Sequence, residues 1–253
     1  MRFLQTEEVL ERCGDVELES APATLQVWPL ALDGSASARA RCECVLSQDE
    51  MQRAARFIHE HHRARFVFSH GLMRHILAAR CGVEPSALKF GVGEQGKPCI
   101  SPECGPGAGC VSFNLSHSAG RALLVVADGR EVGVDIEEVN SRTSALEIAG
   151  AYFCGPELTA IREAPAERTR DTFFRYWTAK EAVLKAQGCG LAVPLDSFCV
   201  VFNPASGSAI VETAQGSRID PDWHVRALAL DDGWHAAVAA RGEGWGLRLM
   251  GAP

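Results

Sequence analysis

One pattern repeats along the chain, and it constrains the fold more than any other feature. A helical stretch over 64–80 is followed by the strand-like "LKFGVG" and then by "VSFNLSHS" and "RALLVVA". A second helical stretch, 171–187, is followed in the same order by "FCVVF", "WHVRALAL" and "WHAAVAA". Identity between the two copies is low, so the repeat is one of order and periodicity. A helix and three strands, used twice, predict an α+β fold, a pseudo-dimer of two similar halves with a boundary near 131. The halves then span 1–131 and 132–253. A groove between such halves is a common place for a ligand.

The segments around the repeat complete this outline. "LQVWPLAL" (25–32) reads as a strand, and 46–82 reads as helix. Ser47 with Glu50 three residues on fits a capping box at its start. Phe57, Phe68, Leu72, Ile76 and Leu77 supply an apolar stripe, while Arg53, Arg56, Arg63 and Arg65 form a basic set. Residues 101–109 are a Gly/Pro-rich turn, 131–139 read as a strand, and 145–163 and 166–187 as helix. A length of 253 residues admits one large domain or two smaller ones.

The net charge of −7 argues against a nucleic-acid partner, although a local basic patch can still hold an anion. The N-terminus turns acidic after four residues and offers no signal-peptide stretch, and no run of 18 apolar residues predicts a membrane span. The ten cysteines contain no C-x-x-C pair and no zinc spacing. They predict a cytoplasmic chain with reduced thiols that serve mostly as small packing residues.

Four stretches carry residues suited to chemistry. In "EVGVDIEEV", alternation sends Val132, Val134 and Ile136 into a core and leaves Asp135 and Glu137 together on the other face. Paired carboxylates on a rigid strand can grip a divalent cation, but a solvated amphipathic strand shows the same alternation. In "DTFFRYWTAKEAVLKAQGCGL", Phe173, Trp177 and Leu184 share a helical stripe, and Glu181 and Lys185 lie four apart on its flank. Read alone, that pair is a surface contact worth about 0.2–0.5 kcal/mol. Read with the strand, Glu181 is a third carboxylate for an octahedral magnesium site, and Lys185 can neutralise a phosphate one turn away.

In "FNLSHS", Asn114, Ser116 and Ser118 share one face of a strand, with Leu115 and His117 on the other. These side chains can hold a phosphate, or they can bond locally at a strand end. Gly91, Gly93 and Gly96 spell G-x-G-x-x-G, but Lys97, Pro98 and a loop follow where a dinucleotide site needs a helix. That excludes a Rossmann reading and leaves a loop able to lie along a flat base, with Lys97 near a phosphate. His59, His61 and His62 lack H-E-x-x-H spacing and read as structural or surface residues.

"GKPCI", "FNLSHS", "GVDIEEV" and "WTAKEAVLKAQGCGL" stand in an order and spacing that resembles the Sfp-type 4′-phosphopantetheinyl transferases, over about residues 47–199. The resemblance implies that family's fold, a pseudo-dimer with the site between its halves. It implies an enzyme that moves phosphopantetheine from coenzyme A to a serine hydroxyl of apo acyl or peptidyl carrier proteins. Those carriers serve fatty acid, polyketide and nonribosomal peptide synthesis, and the other product is adenosine 3′,5′-bisphosphate.

Carried over residue by residue, Asp135, Glu137 and Glu181 resemble the ligands of Mg²⁺, with Mn²⁺ as an alternative. Glu181 also resembles the proposed general base, and Lys185 the lysine on the phosphate under attack. Lys180 is expected to be structural or a peripheral phosphate contact. Ser116, His117 and Arg53 resemble coenzyme A phosphate contacts, and Gly96, Lys97 and Pro98 the segment along the adenine. The segment 140–165, with Tyr152 and Phe153, is the expected carrier-docking region, and Gly188 to Gly190 turn the chain near the carrier entrance. Two departures remove positive charge: Glu50 and Cys189 stand where relatives carry lysine, and the arginine cluster can compensate. A monomer is expected. The rival readings are another Mg²⁺-dependent phosphoryl-transfer enzyme and a non-catalytic coenzyme A or carrier-binding module.

Overall fold

A computed structural model describes residues 1–12, 23–93, 96–105, 107–213 and 215–251. The first half contains α1 (Thr6–Arg12), β1 (Thr24–Ala31), α2 (Ala36–Glu43), α3 (Gln48–Ala55) and α4 (Glu60–Cys81). A small hairpin of β2 (Phe90–Val92) and β3 (Pro98–Ile100) follows, then a long one of β4 (Val111–Ser118) and β5 (Arg121–Asp128). The second half begins with β6 (Val132–Glu138), α5 (Ala145–Tyr152), α6 (Gly155–Glu163) and α7 (Thr169–Gln187). It continues through β7 (Phe198–Phe202), β8 (Ser208–Thr213), β9 (Trp223–Ala227), β10 (Trp234–Arg241) and β11 (Gly246–Leu249).

Two sheets form, in the orders β11-β1-β5-β4 and β6-β10-β9-β8-β7. Alternation explains how they stack. On β1, Leu25 and Val27 face one way and Trp28 and Leu30 the other. The first pair meets Leu123 and Val125 of β5 and, across the seam, Val132, Val134, Ile136 and Val238 of the second sheet. All eight are completely buried. On the far side of the first sheet lies α4, through Leu72, Ile76 and Leu77. On the far side of the second lies α7, through Val183 and Leu184. The order helix, sheet, sheet, helix is the mixed α+β arrangement of two halves expected from the repeat. The last strand does not stay with its half: β11 pairs in parallel with β1, with Thr24 opposite Gly246.

Two expected helices are broken. The stretch 46–82 divides into α3 and α4. The capping box at Ser47 and Glu50 forms, and the Glu50 carboxylate also accepts from Arg74 Nε at 2.7 Å, in a buried pair. In one straight helix these residues would stand about 36 Å apart, so the turn at 56–59 is what lets them meet. The stretch 145–163 divides into α5 and α6, with Pro156 in the first turn of α6, where its missing N–H costs nothing.

The expectation of reduced thiols throughout does not hold. Cys154 and Cys199, 45 residues apart in sequence, are joined by a disulfide. A pairing over that distance depends on how α6 and β7 pack and carries no local signal. Cys13 lies outside the described residues. Among the described residues, no helix is long and apolar enough to cross a membrane.

Candidate active site

The two sheets meet at a junction of edge strands, β4 and β6, and side chains close it. Asn114 Oδ1 accepts from the Val134 amide at 2.9 Å. Ser116 Oγ accepts from Ile136 N at 3.4 Å, and Ser118 Oγ from Glu138 N at 3.2 Å. Edge amides need partners, and every second residue of β4 from Asn114 to Ser118 supplies one at a constant offset of 20 positions. The polar face of "FNLSHS" is therefore the fastener between the halves, which explains why it is not the solvated face of a hairpin.

The same hydroxyls hold the acids. Ser116 Oγ donates to Asp135 Oδ1 at 2.9 Å, and Ser118 Oγ donates to Glu137 Oε2 at 2.9 Å. Lys185 Nζ, from α7, donates to Asp135 Oδ1 at 2.6 Å and to Ser116 Oγ at 2.9 Å. Asp135 is 2% exposed, so its side of β6 is covered rather than solvated. Its second oxygen, Oδ2, is buried without a hydrogen-bond partner among the described residues.

α7 comes this close because of Gly133. A Cβ there would stand 2.1 Å from the Ala182 carbonyl oxygen and 2.4 Å from the Ala186 amide nitrogen. The bare backbone lets the helix lie directly on β6 and bring Glu181 and Lys185 to Asp135. Gly188, at φ 83°, ends the helix in the left-handed region, its N–H bonded to the Leu184 carbonyl.

The carboxylates sense one another. Burial first, and then the Asp135 charge, push Glu137 up to about 7. Burial followed by Asp135 also raises Glu181, with Lys185 opposing. Three acids in mutual repulsion, one with an unpartnered buried oxygen, are a donor set suited to a divalent cation. Lys185 is the nearest counter-charge, and among the described residues no three His, Cys, Asp or Glu side chains close into a ready-made metal cage.

The remaining expected site residues lie on β4, on α3 and in the loop before β3. His117 projects from the opposite face of β4 and is exposed; partial desolvation, then Lys185 and Arg65, lower its pKa. Arg53 is exposed, with its guanidinium 5.2 Å from the centre of the Phe66 ring. Lys97 does not reach outward. Its ammonium donates to the carbonyls of Val132 and Ala186, and burial lowers its pKa to about 8. Lys97 thus pins the "GKP" loop to β6 and α7. Beside it, Pro98, Val111, Phe113, Glu131 and Gln187 line a cleft of about 310 Å³.

With this arrangement in view, comparison with known proteins is informative. The sequence profile of the 4′-phosphopantetheinyl transferase superfamily matches residues 131–239, and that of the 4′-phosphopantetheinyl transferase N-terminal region matches 36–129. The chain is 36% identical over 180 residues to 4′-phosphopantetheinyl transferase HetI of Nostoc sp., spanning 71% of this chain and 75% of that protein. It is 31% identical over 205 residues to the phosphopantetheinyl transferase of Thraustochytrium sp., spanning 76% and 70%. It is 32% identical over 155 residues to 4′-phosphopantetheinyl transferase Sfp of Bacillus subtilis, spanning 61% and 66%. The chain belongs to the 4′-phosphopantetheinyl transferase family.

Several side chains of this transferase take the roles expected of them, and others do not. Lys180 takes the first of its two expected roles and is structural. Its ammonium is fully buried, donating to Glu157 Oε1 at 2.8 Å and to the Phe198 carbonyl at 2.6 Å, and it lies 4.1 Å from the centre of the Phe198 ring. Glu157 also accepts from the amides of Val200 and Cys154. The sequence reading passed over Glu157; its only local signal was its place three residues into α6, where an acid caps. Glu50 is held by Arg74, so its negative charge is answered inside the first half. Phe173 and Leu184 are buried as expected, but Phe173 and the half-buried Trp177 pack with Phe153 of the α5–α6 corner, while Leu184 packs on the sheet.

Proposed function

We propose that this transferase moves the 4′-phosphopantetheine group of coenzyme A onto a serine hydroxyl of apo acyl or peptidyl carrier proteins. Adenosine 3′,5′-bisphosphate is the other product. The serine oxygen forms the new bond to phosphorus. The pyrophosphate P–O bond breaks, and the leaving phosphate takes the electron pair. The observation that carries this reading is the unpartnered, buried Oδ2 of Asp135, set among Glu137, Glu181 and Lys185.

Asp135, Glu137 and Glu181 would hold Mg²⁺, with Mn²⁺ as the alternative. When bound, the ion offsets negative charge growing on the leaving phosphate. Lys185 places an ammonium beside the phosphate under attack and keeps Asp135 aligned. Glu181, raised above the ordinary carboxylate range, is suited to take the serine proton, directly or through a water. The cleft beside Pro98 and Phe113 supports an adenine position along the "GKP" loop, which Lys97 holds from behind. His117 and Arg53, cationic or polar at the open rim, suit the coenzyme A phosphates, and Ser116 acts there by orienting Asp135 and Lys185. The enzyme works as a monomer, a reading supported by the large shared core of its halves.

The test is incubation of several apo carrier proteins with the enzyme, coenzyme A and Mg²⁺, followed by intact mass. A gain of one phosphopantetheine, absent when the carrier serine is replaced by alanine, is the expected result. No gain on any carrier would overturn the reading.

A further inference from the structure

The turn that ends β4 is strained, and a cation braces it. Ala119, at φ 46°, is the one non-glycine residue at positive φ among the described residues. A side chain in the left-handed region costs free energy, and such a turn persists only where its surroundings fix it. Ser118 precedes the turn on β4, and Arg121 follows it on β5, opposite Ser118 in the hairpin register. The Arg121 guanidinium lies 4.5 Å from the centre of the Phe3 ring and 4.6 Å from the centre of the Trp234 ring. Its Nη2 stands 3.2 Å from Asp231 Oδ2. Its Nη1 is buried and bonds to no acceptor among the described residues, so the two ring faces carry much of the contact. Phe3 belongs to the first half, and Trp234 and Asp231 belong to the second. Arg121 therefore clasps one half to the other.

The strand registers make this clasp a closed circuit. Arg121 stands opposite Ser118 on β4. Ser118 Oγ accepts from Glu138 N of β6 at 3.2 Å. Glu138 stands opposite Trp234 on β10. The Trp234 ring returns to Arg121. One member of the circuit also touches the candidate site, because Ser118 Oγ donates to Glu137 Oε2 at 2.9 Å. A hydroxyl can orient a half-buried carboxylate only if its own strand end is held in place.

We infer that Arg121, braced between Phe3 and Trp234, is a positioning residue for Glu137. It fixes this end of the seam, and with it the Ser118 hydroxyl that orients the carboxylate. The role rests on the metal-holding part proposed above for Glu137. Two other roles for Arg121 are a clasp for stability alone and a cation acting through space, and the three differ in sign. Loss of a cation near the acids removes repulsion toward a metal ion and tightens its binding. Loss of a purely structural clasp leaves metal binding by the folded protein unchanged. Loss of a positioning residue weakens it.

The experiment uses the full chain with two readouts. One is paramagnetic titration with Mn²⁺ in the presence of coenzyme A, without a carrier. The other is hydrogen exchange at the Glu138 amide, which bonds to Ser118. Arg121→Met, confirmed folded by its thermal transition, is expected to bind Mn²⁺ roughly threefold to tenfold more weakly. Its Glu138 amide is expected to exchange faster. Arg121→Lys keeps a cation between the rings and recovers most of both. Trp234→Leu reproduces both effects from the second half, and it decides the matter if Arg121→Met does not fold. In a Ser118→Ala background, Arg121→Met adds no further loss of Mn²⁺ affinity. Unchanged or tighter Mn²⁺ binding in folded Arg121→Met overturns the inference, as does a fully additive loss in the Ser118→Ala background. A wild type that binds no Mn²⁺, with faster Glu138 exchange in Arg121→Met, refutes the metal role of Glu137 and leaves the clasp standing. Equal Mn²⁺ binding by wild type and variant does the reverse.

Discussion

Lys185 Nζ lies 2.6 Å from Asp135 Oδ1, joining α7 to β6 at the line where the two sheets meet. This contact uses one oxygen of a carboxylate that is 2% exposed and leaves the other without a donor among the described residues. A buried carboxylate half-satisfied by a lysine is poor value for stability alone. It is well suited to a site that must accept a cation and a phosphate together.

The close approach that makes this contact possible rests on Gly133. Gly133→Ala puts a methyl group into the backbone of α7, with the Ala182 oxygen 2.1 Å away. The helix has to shift. Loss of about 3 kcal/mol or more in urea unfolding is expected, with transfer reduced further because Glu181 and Lys185 move off Asp135.

Lys180 and Glu157 form a pair with both side chains at or below 1% exposure. Lys180→Met leaves a buried carboxylate and Glu157→Gln a buried ammonium, and each is expected to cost about 3–5 kcal/mol. The double variant Lys180→Met/Glu157→Gln, which removes both charges, should recover part of the loss. A double-mutant cycle by chemical denaturation measures the coupling.

His70 is set between Phe66, whose ring stacks at 3.9 Å, and the charges of Glu50, Arg53 and His117. Burial lowers its pKa from 6.5 to about 4. The folded chain therefore keeps the ring neutral while the unfolded chain takes up a proton. The stability His70 supports is whole above pH 6.5 and falls as pH drops toward 4. His70→Gln should flatten the stability curve in that window, as read from thermal transitions at stepped pH values.

The local half of this architecture could be read from the chain. Alternation located β4 and β6 and the face carrying Asp135 and Glu137, because a period of two survives wherever one side is buried. Glu181 and Lys185 could be placed on one flank of α7 because helical spacing is rigid. What Ser116 and Ser118 do could not be read, since their partners are β6 amides and acids on the neighbouring strand. The break at 56–59 answers to the Glu50–Arg74 pair, and neither Pro nor Gly marks it. The pairing of β11 with β1, the Cys154–Cys199 link and the burial of Lys180 against Glu157 likewise depend on residues far apart in sequence.

The central claim is that Asp135, Glu137 and Glu181 gather around one divalent ion. Paramagnetic titration with Mn²⁺ in the presence of coenzyme A tests it most directly. One ion per chain is predicted for the wild type, with binding and transfer both lost in a folded Asp135→Ala variant. Undiminished Mn²⁺ binding or retained transfer in that variant would contradict the account.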